Sequence, residues 1–177
     1  MIADLARRLD LVSDADIDRH LSEDDDDGLD DARILIVDDD ATAACLMQRL
    51  LERDGFRRVA SVGDGRQALA AMLEHPPEVV VLDVHMPHVD GFAMLREMLS
   101  GEERINAVTG VLAVSGDHSP ASCRAMLCGG ADDYLTRPFD GTEFALRVRR
   151  LAHVTRELRR TLRYVGVLES RIRDLTR

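Results

Sequence analysis

The chain has 177 residues, of which 45% are hydrophobic and 3% aromatic, with no Trp and a formal net charge of −10. That length holds one domain with a full, aliphatic core plus extensions, and no apolar run approaches the ~20 residues that span a bilayer. The acidity argues against non-specific nucleic-acid binding by the main body.

The charge is unevenly spread. Residues 1–33 carry 12 acids against 4 Arg, whereas residues 143–177 carry 4 acids against 10 Arg, and no Lys occurs anywhere. Three scattered thiols, Cys45, Cys123 and Cys128, lack metal-type spacing. They suit a reducing cytoplasm and are expected in core or partly buried positions. The N-terminus lacks a secretory apolar segment, so a cytoplasmic protein is expected.

Residues 1–32 read as an acidic, partly disordered extension. Ile2, Leu5, Leu9 and Val12 sit at helical spacing, and the run SEDDDDGLDD after them cannot bury itself. From Arg33 onward strand and helix patterns alternate. Ile34–Val37 is a predicted strand ending in Asp38, Asp39 and Asp40. Residues 41–53 form a predicted helix, with apolar residues at Cys45, Leu46, Leu50 and Leu51 and a stop at Gly55. A short strand at 58–61 precedes a helix over 66–74, capped by Asp64 and ended by Pro76 and Pro77. The continuous apolar run at 79–82 is a strand buried on both faces and leads into Asp83. Further elements are a helix at 92–99, a strand at 110–114 ending at Ser115, and a helix with Ser119 as N-cap and Pro120 at its first position. A strand at 134–136 runs into Arg137-Pro138-Phe139, and a last helix starts near Gly141.

Five βα units in strict alternation imply a parallel sheet with right-handed crossovers and helices on both faces. Asp38, Asp39, Asp83, Ser115 and Arg137 then all fall at carboxyl ends of strands, the edge where open α/β sheets bind ligands. Three carboxylates brought together repel one another unless a cation sits among them, and a hard divalent ion such as magnesium suits oxygen ligands. A hydroxyl and a guanidinium nearby can hold phosphoryl oxygens. A central carboxylate can act as nucleophile, which points to phosphoryl transfer onto Asp83.

The motifs ILIVDDD, VVVLDVHMPHVDG, VLAVSGD and GADDYLTRPF, in this order and spacing, resemble the CheY-like receiver domain of two-component response regulators over residues 33–150. The resemblance implies a flavodoxin-like, doubly wound five-stranded parallel sheet of order 2-1-3-4-5. It makes Asp83 the phosphoacceptor. Magnesium would be held by Asp39 directly, by Asp38 with help from water, by Asp83 and by the backbone carbonyl of His85. Ser115 becomes the switch hydroxyl, Tyr134 the aromatic switch, and His85 and Asp117 the residues that tune hydrolysis of the acyl phosphate. It further implies a cis Arg137–Pro138 bond and, as partner, a sensor histidine kinase or phosphotransfer protein. One departure stands out. The family has Lys where this chain has Arg137, and a planar fork is not equivalent to a compact ammonium.

The tail exceeds a bare receiver. Phe144, Leu151, Leu158, Val165 and Ile172 recur every seven residues, with Val154, Leu168 and Leu175 three further on and Arg147 and Thr161 interrupting. A helix from Gly141 to Arg177 would be ~55 Å long. Residues 151–177 are therefore expected to form a coiled-coil stalk joining two copies through 144–175. No DNA-binding module is visible, and the chain can be a fragment whose output domain or protein lies downstream. The signalling role predicts no classical enzyme activity beyond self-phosphorylation and self-dephosphorylation. Two rival readings stand beside this one. The first is a phosphorylation-independent scaffold. The second is a haloacid-dehalogenase-type phosphatase, suggested by Asp38-x-Asp40-x-Thr42 after a strand.

Overall fold

The computed structural model describes residues 28–86, 91–100 and 108–175. The N-terminal amphipathic helix and the first part of the acidic run SEDDDDGLDD lie outside these, while the last four residues of that run, 28–31, are described. The described chain divides into two units, Leu29–Thr155 and one that includes Gly28 and Arg156–Leu175.

In the first unit a 3-10 turn, Leu29–Asp31, precedes five strands and five helices: β1 (Arg33–Val37), α1 (Ala41–Arg53), β2 (Arg58–Val62), α2 (Gly65–Glu74), β3 (Val79–Asp83), α3 (Gly91–Ser100), β4 (Gly110–Ser115), α4 (Pro120–Cys128), β5 (Asp133–Thr136) and α5 (Gly141–Leu175), which continues past Thr155. All strand pairs are parallel, in the order β2-β1-β3-β4-β5. This is the flavodoxin-like arrangement, with a long C-terminal helix.

The central strands are buried on both faces, and the period of two along each strand divides the core into two layers. Ile34, Ile36, Val79, Val81, Leu112 and Val114 pack against Ala44, Met47 and Leu51 of α1 and Phe144, Ala145, Val148 and Ala152 of α5. Leu35, Val37, Val80, Leu82 and Ala113 face the other way, onto Ala68 and Met72 of α2, Met94, Leu95 and Met98 of α3 and Met126 of α4. Methionine fills the second layer where an aromatic-poor sequence has few rings to offer.

Two expectations are corrected here. The buried stripe of α1 is Ala44–Met47–Leu51, and Leu46 is 58% exposed. The reason is phase: positions 44, 47 and 51 share one side of a 3.6-residue helix, which turns 45 and 46 outward. Cys45 is consequently exposed, as is Cys128 in the last turn of α4, and only Cys123 is half-buried.

Helix starts follow the capping chemistry expected of them. The Asp40 carboxylate accepts from the backbone N–H of Thr42 and Ala43, Asp64 accepts from Arg66, and Ser119 accepts from Ser122 ahead of Pro120. One tie was not legible beforehand. Arg149 of α5 pairs with Asp54 and Asp30 and lies 4.9 Å from the Phe56 ring centroid, clamping the end of α1 and the 3-10 turn onto α5. Among the described residues no helix is long and apolar enough to cross a membrane.

Candidate functional site

Strands β1 and β3 are neighbours in register, Val37 beside Leu82. The residues that follow, Asp38 and Asp83, therefore emerge side by side at the carboxyl edge. One carboxylate oxygen from each of Asp38, Asp39 and Asp83 lies within 4.8 Å of the others. Asp38 and Asp83 are buried, at 2% and 5% exposure, while Asp39 is exposed. Burial pushes the carboxyl pKa of both Asp38 and Asp83 up, with the Arg137 guanidinium opposing the rise in each. Asp38 also accepts from the Asp40 backbone N–H at 2.9 Å. A cavity of about 170 Å³ opens beside Asp38 and Asp39 and is also lined by Cys45, Gln48, Ser61 and Gly63.

Arg137 spans the acids. Its Nη1 lies 3.3 Å from Asp83 Oδ1, and its Nη2 pairs with Asp38 Oδ2. The guanidinium fork thus reaches two carboxylates at once, which a single ammonium cannot do in the same geometry. Its position is fixed from the backbone: the Arg137 N–H donates to the Ser115 carbonyl at 2.7 Å, and the Arg137–Pro138 bond is cis.

Ser115, fully buried at the end of β4, faces His85. Its hydroxyl lies 3.2 Å from His85 Nδ1 and accepts from the Asp117 backbone N–H at 3.0 Å. The Asp117 carboxylate accepts from the backbone N–H and the hydroxyl of Ser119, which hold its carboxyl below the usual range. The Asp117 carbonyl accepts from the Tyr134 phenol at 2.8 Å. His85, Ser115, Asp117 and Tyr134 thus form one hydrogen-bonded chain, although nothing in their sequence spacing announced it.

Asp38, Asp39, Asp83, His85, Ser115, Asp117 and Arg137 lie at this edge, Tyr134 is tied to it through its phenol, and the structure adds two features. Gly91 is required by close approach: a Cβ there would stand 2.6 Å from the Asp83 carbonyl oxygen and 2.9 Å from Val84 Cα. The other is Asp40, whose carboxylate caps α1 by accepting from the backbone N–H of Thr42 and Ala43.

The donor set is all hard oxygen, and one carboxylate faces solvent, so the residues present fit a divalent cation such as magnesium. Residues 34–149 match the family described as response regulator receiver domain. The chain is 35% identical over 126 residues to the transcriptional regulatory protein PrrA of Mycobacterium tuberculosis, a match covering 71% of this chain and 52% of that one. It is 34% identical over 107 residues to a probable chemotaxis protein CheY of Rhizobium etli, covering 60% of this chain and 81% of the relative. Thus the chain spans about half the length of the mycobacterial regulators it matches. Among solved structures, a Francisella response regulator receiver domain superposes with a TM-score of 0.63 at 30% identity, over 71% of this chain and 99% of that one. With the parallel sheet, the acidic edge and these matches in agreement, the chain belongs to the response regulator receiver family of two-component systems.

Proposed function

We propose that this protein accepts a phosphoryl group on Asp83 from a histidine kinase or phosphotransfer protein and passes the signal on by protein–protein contact. The observation that carries the reading is the cluster of Asp38, Asp39 and Asp83 with Arg137 across it. Asp39, Asp38, Asp83 and the His85 carbonyl would hold magnesium, which supplies positive charge against the phosphoryl oxygens. An Asp83 carboxylate oxygen bonds to phosphorus while the donor's P–N bond breaks and the electron pair returns to its imidazole. Arg137 then follows the negative charge onto the phosphoryl oxygens, and the Ser115 hydroxyl donates to one of them. Release of Ser115 from Asp117 loosens the carbonyl that holds Tyr134. His85 and Asp117 flank the path of hydrolytic water.

Incubation of the intact chain with magnesium and acetyl phosphate tests this reading. Mass spectrometry should show one added phosphoryl group, and none in Asp83→Asn. Undiminished labelling of that variant refutes the assignment.

For residues 151–177 the reading is a stalk that pairs with a second copy. Val154, Leu158 and Leu162 of α5 are each about half exposed, at 53%, 47% and 47%, and Leu158 follows Phe144 and Leu151 at the seven-residue spacing. An output domain or protein would receive the signal through this helix. A second reading, a scaffold that works without phosphorylation, is favoured by one observation: Arg137 pairs with both Asp83 and Asp38.

A further inference from the structure

We propose that the His85 side chain is a positioning residue: its imidazole holds the Ser115 hydroxyl in the resting place and so sets the threshold for switching. The proposal rests on the phosphoacceptor reading of Asp83.

The geometry is specific. Ser115 is fully buried, so its hydroxyl depends on protein partners. A serine hydroxyl has one proton to donate. The oxygen already accepts from the Asp117 N–H at 3.0 Å. With the ring proton of His85 on Nε2, Nδ1 is the acceptor for the hydroxyl proton, 3.2 Å away. In that tautomer the hydroxyl proton is committed to the ring of His85. To donate to a phosphoryl oxygen on Asp83, Ser115 must first give up His85.

The same residue follows the acid by two positions at the end of β3, so a change at Asp83 reaches the ring through a short stretch of backbone. From Ser115 the chain of contacts continues through Asp117 to the Tyr134 phenol, 2.8 Å from the Asp117 carbonyl. The ring is exposed while the hydroxyl it caps is buried. Replacing the ring therefore removes a hydrogen bond without opening the core.

Three variants separate the hydrogen bond from the bulk of the ring. His85→Ala removes both, His85→Phe keeps a ring without an acceptor, and His85→Asn places a side-chain oxygen near the position of Nδ1. Hydrogen exchange of the segment 115–122 is measured in the intact chain, first without ligand and then across a titration of beryllofluoride at fixed magnesium. In the Ala and Phe variants resting exchange should quicken and the beryllofluoride midpoint should fall by about threefold to tenfold, the range expected for one hydrogen bond. Asn should restore the parent values. Midpoints that coincide in all four proteins overturn the proposal while leaving Asp83 as acceptor. So does a shift in Ala that Phe cancels, since packing alone then explains it. A parent chain that gives no response to beryllofluoride overturns the phosphoacceptor reading and the proposal together.

Discussion

Replacing Arg137 probes the chain's departure from the family's lysine. Its guanidinium lies 3.3 Å from Asp83 and pairs more closely still with Asp38. At that separation two unit charges attract by about 5 kcal/mol at an effective dielectric constant of ~20. Desolvation offsets much of this in a site where Arg137 keeps 28% of its side-chain surface exposed. A retained ~1.4 kcal/mol corresponds to tenfold in an equilibrium constant. Magnesium binding has to break or stretch the contact to Asp38. Arg137→Ala should therefore bind magnesium about tenfold more tightly. Arg137→Lys, which keeps the charge but reaches one acid at a time, should fall between variant and parent. Calorimetric titration at constant ionic strength reads the affinities directly. The structural response, followed as exchange protection of residues 115–134 with beryllofluoride, should move differently: larger in Lys than in the parent, and mostly lost in Ala. Equal magnesium affinity in all three proteins would show that the guanidinium does not compete for Asp38. Equal responses would remove residue 137 from switching and favour the scaffold.

Other outcomes follow from the same geometry. Asp83→Asn should raise the urea midpoint of the metal-free protein at neutral pH, because burial raises the folded-state pKa above the ordinary carboxyl value of 3.8 and the charged form therefore costs stability. That cost is full above the folded pKa and fades as pH falls from it toward 3.8, so the gain over the parent should shrink in acid; a variant no more stable than the parent at pH 7 contradicts this. Gly91→Ala should lose roughly 1–3 kcal/mol in chemical denaturation, because its Cβ would meet the backbone of Asp83 and Val84; an unchanged midpoint would show that the loop gives way freely. Arg at both Leu158 and Val165 should abolish self-association through the stalk, since a charge buried in an apolar seam is costly. Sedimentation should find a dimer for the parent and a monomer for the double variant, and a monomeric parent at high micromolar concentration removes the coiled coil.

Local chemistry was enough to place most of the fold and to bring Asp38, Asp39, Asp83, Ser115 and Arg137 to strand ends, while His85, Asp117 and Tyr134 were named only through the family resemblance. Apolar runs ending in acids mark β1 and β3 because a strand buried on both faces needs no alternation. Capping residues and prolines mark the helix starts because orphan N–H groups demand a partner there. The convergence of Asp38, Asp39, Asp83, Ser115 and Arg137 follows once the strands are parallel, since their carboxyl ends must then share an edge. Phase was harder to read. Cys45 and Leu46 look as apolar as Ala44 and Met47, and only contact with the sheet decides which side of α1 turns inward. Contacts between side chains far apart in the chain left no local trace either. That Arg137 spans two acids, that Ser115 leans on His85 and that Arg149 closes over Phe56 depend on distances that only packing of the whole sheet and its helices determines.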